Sequence, residues 1–180
     1  MRNHKKTFSD PEKVARIIID AGGKIVGRTR LQKLAYFLEA AGVGEGFFFE
    51  YRHYGPFSES LAMAARNAYV LGLVEEEEKA TDWGGFYSIY SAKCSSEIAS
   101  TDNQPRMNLI KLAVEADPVA LELAATAAFL SKDGIEDPWE ETERRKSDKA
   151  KDGRLEKAKA LYAQLACIPT PRRLPQISAM

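Results

Sequence analysis

The chain has 180 residues and a mass of 20.0 kDa, with 44% hydrophobic and 29% charged residues, an ordinary composition for a globular domain. Its 26 Lys plus Arg balance 26 Asp plus Glu, which excludes a general nucleic-acid coat, since that needs a basic surplus to neutralise phosphates; a local basic patch stays open. No apolar run reaches the roughly 18 residues of a membrane span, the start runs into Ser9-Asp10-Pro11 rather than an apolar secretion segment, and two cysteines, Cys94 and Cys167, cannot make a disulfide framework. A cytoplasmic protein with no membrane contact is expected.

The charge is uneven. Residues 1–74 carry a basic surplus, residues 75–104 an acidic one, and the remainder is nearly balanced. No repeat is visible.

Ser9-Asp10-Pro11-Glu12 has the form of a capping box with proline in the first turn. Val14, Ile17, Ile18 and Ala21 then recur at helical spacing, and Gly22-Gly23 stops the helix. A second helix is predicted from Arg28–Thr29, with Leu31, Leu34, Ala35 and Leu38 inside and Arg30, Gln32, Lys33 and Glu39 mainly on the other side. Residues 47–52, rich in aromatics, predict a strand, which Tyr54-Gly55-Pro56-Phe57 breaks. Ser58 caps a third helix with Leu61, Ala62, Ala65, Ala68 and Tyr69 on its inner face. Residues 73–78 and 86–90 predict a hairpin turning at Asp82, Trp83 and Gly84-Gly85.

Helix, helix, short strand, helix, hairpin is close to a winged helix-turn-helix order. The expected class is therefore mainly α (α+β): a winged-helix-like part with a β-hairpin over residues 1–100, then a helical region over 105–167 packed on it. Its helices carry Met107, Ile110 and Val114 in the first; Leu123, Ala124, Ala127 and Leu130 in the second, after Asp117-Pro118; a short charged helix from Asp137-Pro138; and Leu155, Ala158, Leu161, Tyr162 and Leu165 in the last. Pro169, Pro171 and Pro175 predict a tail over 168–180 that is flexible or draped on the surface.

Catalytic chemistry finds little support. His4 sits in a frayed terminus. His53 has no nucleophile or carboxylate at a telling spacing, so a half-buried structural histidine is expected. The cysteines are isolated, no metal motif is present, and the glycine pairs lack the Lys-Ser/Thr of a phosphate loop. Glu75, Glu76, Glu77 and Glu78 alternate in direction along a strand and cannot converge on one ion. No catalytic residue, metal site or cofactor is predicted, and the protein is expected not to be an enzyme.

Two binding readings remain. Arg28, Arg30 and Lys33 at the start of the second helix, with Arg66 on the third, could meet phosphates of DNA. The third helix, which would enter the major groove, otherwise offers Glu59, Ser60 and Asn67, and the hairpin carries four glutamates that repel phosphate. The second reading is a protein partner. Tyr54, Gly55, Pro56 and Phe57 set aromatic side chains around a rigid bend, and Trp83 at the hairpin tip is poorly placed for a core. The alternative for the bend is a plain packing staple.

Gly27-Arg28-Thr29-Arg30-Leu31-Gln32-Lys33-Leu34-Ala35-Tyr36, followed by Phe49-Glu50-Tyr51-Arg52-His53-Tyr54-Gly55-Pro56-Phe57-Ser58 and Leu61, resembles the bacterial and archaeal YwgA-like family. The helical half from Leu121 to the 155–165 helix is similar too, so the resemblance extends to about residue 166. The same layout is more weakly similar to the SocA-like Panacea antitoxin domain, whose members usually have Gly-Pro-Val where this chain has Gly55-Pro56-Phe57. The first resemblance implies a winged-helix-like core without established catalytic residues. The second implies an antitoxin that binds a protein, possibly a toxin, in a toxin–antitoxin, mobile-element or phage-defence setting. The expectation is thus a non-enzymatic interaction protein, with a DNA-binding transcriptional regulator as the alternative; a homodimer through the C-terminal helices is compatible with both.

Overall fold

Ser9 starts the first helix, as its backbone N–H and hydroxyl both donate to the Glu12 carboxylate, at 2.7 and 2.6 Å. The computed structural model describes residues 8–82, 84–93 and 102–177; Trp83 and Cys94 lie outside the described residues. Helix α1 (Asp10–Asp20) runs through Gly22 and Gly23, both at positive φ, into strand β1 (Lys24–Val26). Helix α2 (Arg28–Ala40) follows. Strands β2 (Glu50–Arg52) and β3 (Gly55–Phe57) form a small antiparallel hairpin with Tyr51 opposite Pro56. Helix α3 (Glu59–Val70) leads to strands β4 (Val74–Ala80) and β5 (Phe86–Ala92). The larger sheet has the order β1-β5-β4, antiparallel throughout. The rest is helical: α4 (Gln104–Glu115), α5 (Pro118–Lys132), α6 (Pro138–Arg145), α7 (Ser147–Ala150) and α8 (Arg154–Ala166). The class is α+β.

One continuous core joins both halves. Helix α5 is its axis, buried at every position from Ala120 to Leu130 and packed by α2, α6, α8 and β3. Helix α2 is buried at every position from Leu31 to Leu38. A single inner stripe was expected there, with Gln32 and Lys33 outside; both are buried instead, because α4, α5 and β3 enclose the helix on several sides. Gln32 satisfies buried backbone as a peptide group would: its amide donates to the Ser58 carbonyl at 3.0 Å and accepts from the Ser58 N–H at 2.8 Å.

Other expectations need correction. Residues 47–49 precede the strand; the backbone N–H groups of Glu45, Gly46 and Phe47 converge on the Glu39 carboxylate at 2.7–2.9 Å and hold this stretch as a loop. The Gly55-Pro56-Phe57 segment does not break the sheet but is its second strand, proline being tolerated in an edge strand. Tyr69 is exposed, and Ala64 takes the inner position with Ala65 and Ala68, since α3 lies against α1 through small residues. Helix α4 buries Arg106, Leu109, Ile110 and Ala113 rather than Met107 and Val114. Its rotation follows Arg106, whose guanidinium pairs with buried Asp20 at 2.8 Å and donates to the Val43 carbonyl at 2.9 Å.

Of the two forms expected for the tail, flexible or draped on the surface, the second holds through Ile177. Leu174 is buried, the Arg172 N–H donates to the Ala41 carbonyl at 3.0 Å, and the Tyr162 hydroxyl donates to the Pro175 carbonyl. Prolines that rule out helix leave an extended strap free to follow the surface.

Candidate functional site

The bend at residues 54–58 is where the two halves meet. Gly55 and Pro56 are buried, Phe57 is half-buried, and Tyr54 is 54% exposed. Of the corner expected to meet a partner, only Tyr54 presents a free ring; Gly55 and Pro56 instead serve packing. Gly55 has φ +81°, and a Cβ built on it would lie 2.5 Å from the Thr126 hydroxyl oxygen on α5. That hydroxyl donates to the Glu122 carbonyl and is fixed in place. Gly55→Ala therefore adds a backbone penalty to a clash and is expected to cost about 2–4 kcal/mol, read as a lowered urea midpoint with unchanged m-value.

Beneath the bend lies a cluster of buried charge. The Lys33 ammonium, on a fully buried side chain of α2, donates to the Pro56 carbonyl at 2.7 Å. Glu122 of α5, 4% exposed, accepts from Lys146 at 2.9 Å and from Lys149 at 2.7 and 2.8 Å. Lys146 also donates to the His53 carbonyl at 3.0 Å. Burial lowers the Lys33 pKa from 10.5 to about 7; Glu122 works against this, while Lys146 and Lys149 add to it. Three lysines thus face one carboxylate.

Above this cluster a cleft of about 180 Å³ opens to solvent, lined by His53, Tyr54, Arg145, Lys146, Ser147, Asp148 and Lys149. The Tyr54 ring lies 4.7 Å from the Lys149 ammonium and edge-on to the His53 ring at 4.8 Å. Arg145 stacks over Tyr51 at 4.7 Å and shares Glu141 with Arg144. These two guanidiniums hold the Glu141 carboxyl down to about 2.

The four basic residues considered for nucleic acid do not form one surface. Arg28 donates to Glu76 and Glu78 at 2.9 and 2.8 Å, and its pKa rises through the Glu76 hydrogen bond. Both glutamates lie on one face of β4, as alternation requires, while Glu75 and Glu77 lie on the other. One Arg30 nitrogen donates to the carbonyls of Ala113, Val114 and Ala116, each at 2.8 Å, capping the C-terminus of α4. Lys33 is buried, and only Arg66 points to solvent without such an engagement. Arg28, Arg30 and Lys33 form no basic strip along α2 because the fold uses these cations as ties to its own carboxylates and carbonyls.

What the sequence reading missed is apolar. Met63, Val70 and Leu71 at and beyond α3 are 60–74% exposed, Tyr69 is 53% exposed, and Phe86 on β5 is 77% exposed. Isolated exposed apolar residues are common, but Tyr69, Val70 and Leu71 are consecutive. The cluster under the bend was also missed. Its signal was present: Glu122 is the one carboxylate within the apolar run 119–130.

Among the described residues, no group of His, Cys, Asp and Glu could hold a metal ion, and no helix is long and apolar enough to cross a membrane. Compared with protein-family models the chain matches none, and no curated protein matches it.

Proposed function

We propose that this chain is a winged-helix-like, non-enzymatic interaction protein that binds a protein partner in the manner of an antitoxin. The element order α1-β1-α2-β2-β3-α3-β4-β5, with the β2-β3 hairpin between the second and third helices and the larger sheet in the order β1-β5-β4, supports the winged-helix-like reading. One observation carries the choice of partner. The basic side chains of α2 are engaged within the chain, Arg28 at the surface by Glu76 and Glu78 and Arg30 and Lys33 by backbone carbonyls, while the outer end of α3 offers Tyr69, Val70 and Leu71 to solvent. Such a surface suits a protein partner held by apolar burial better than a polyphosphate held by counterion release. Tyr54 and the hairpin bearing Phe86 and Trp83 extend the contact.

The test is co-expression with the product of the adjacent reading frame, followed by co-purification. The complex is expected to survive a change from about 0.1 to about 0.5 M salt. Val70→Asp is expected to weaken it about tenfold or more, and Tyr54→Ala and Trp83→Ala less. Binding to duplex DNA that falls steeply with salt and disappears in Arg66→Glu would overturn this reading in favour of a regulator.

A further inference from the structure

We propose that the cleft between the His53–Tyr54 turn and the α6–α7 junction is a binding site for a phosphate-type dianion. Three of its lining residues, Arg145, Lys146 and Lys149, are cationic, and His53 lines it as well. The charge behind these walls is not balanced. Lys146 and Lys149 share Glu122, and Arg144 and Arg145 share Glu141, so four cations meet two carboxylates. Asp148, the acid in the lining of the cleft, has its side chain 94% exposed and its carboxylate paired with Lys151 at 3.0 Å.

A surplus of this kind in partly desolvated surroundings is costly unless an anion offsets it. The pKa of Lys33 is lowered first by burial, and Lys146 and Lys149 lower it further. The anchoring is rigid. Lys146 is 5% exposed and has its amine oriented by Glu122 and the His53 carbonyl, which leaves one of its three donors for a ligand. Lys149, 35% exposed, swings at the rim beside Tyr54 and Ser147. Two or three charge-assisted donors aimed at one accessible cleft suit a tetrahedral oxyanion better than a halide.

The dianion could be free in solution or carried as a phosphoryl group on a larger molecule. Titration of the full chain with inorganic phosphate and, separately, with O-phosphoserine, at ionic strength matched with chloride and followed by backbone amide shifts, separates these sources. Saturable binding is expected below about 10 mM, with the largest shifts at Tyr54, Ser147 and Lys149. Equal affinity for both probes assigns the free ion; tighter phosphoserine assigns the carried group. Lys149→Gln and Arg145→Gln are each expected to weaken binding about tenfold or more, while Arg66→Gln changes nothing. Lys149→Gln leaves Glu122 paired with Lys146, and an unchanged amide spectrum away from the cleft shows that it folds. Shifts that never saturate, or binding within twofold of wild type in both cleft variants, would overturn the proposal. Either result leaves the partner test at Val70 unaffected, so the two readings stand or fall separately.

Discussion

Glu122→Gln is expected to destabilise the protein by about 3–5 kcal/mol, the cost of removing one partner from a buried ion pair. The side chain keeps its shape, so packing does not change. What changes is the charge beside Lys146, whose side chain is only 5% exposed. Lys149 loses less, because it is partly exposed and can turn outward. Lys33 loses the carboxylate whose charge favours its protonated form. The measurement is urea unfolding at neutral pH. A second comparison separates charge from shape: Glu122→Leu combined with Lys146→Met removes both ends of the pair and is expected to be less damaging than Glu122→Gln alone. A loss below about 1 kcal/mol for Glu122→Gln would mean that water reaches the cluster.

Lys33 provides the second large effect, and it is read from pH. Its pKa is about 7 in the folded chain and returns to 10.5 on unfolding. Between these values the unfolded chain holds a proton that the folded chain has released, so stability rises with pH through this window and is lost as pH falls toward 7. From pH 7 to about pH 9.5 the gain is roughly 2–3 kcal/mol. Lys33→Met fills the same space without a proton to bind, so this rise is expected to vanish in the variant. Equal slopes in the two proteins would sink the assignment. Above about pH 10 the trend reverses in both proteins. Burial raises the phenols of Tyr36, Tyr90 and Tyr162, with Tyr90 pushed up to about 12, so their ionisation favours unfolding.

The same residue explains why sequence reading succeeded with elements and failed with faces. Capping at Ser9, Ser58, Asp117 and Asp137, and the glycine stops at Gly22-Gly23 and Gly72, are local signals, and the helices begin and end where those signals place them. The hairpin and its alternating glutamates are equally local. Lys33, Gln32 and Arg106 carry polar groups, and a periodicity argument assigns such groups to solvent. Each is buried because a partner distant in the chain receives it: Pro56 for Lys33, Ser58 for Gln32 and Asp20 for Arg106.

The candidate site divides in the same way. The bend itself was visible in Tyr54-Gly55-Pro56-Phe57, since glycine and proline announce a special backbone without help from the rest of the chain. That Gly55 abuts Thr126 was not visible. Nor was the gathering of Lys33, Glu122, Lys146 and Lys149, drawn from α2, α5 and the α6–α7 region, at one point beneath it.

By itself, then, the amino-acid order determined the class of fold, the caps and stops of its helices, the hairpin and the position of the bend, because each depends on interactions within a few residues. Only the tertiary structure decided which charges are spent on internal ties and which aromatic and aliphatic groups stay in water. Burial is a property of what packs on a segment from elsewhere, and a buried cation is tolerated only where a remote carbonyl or carboxylate meets it.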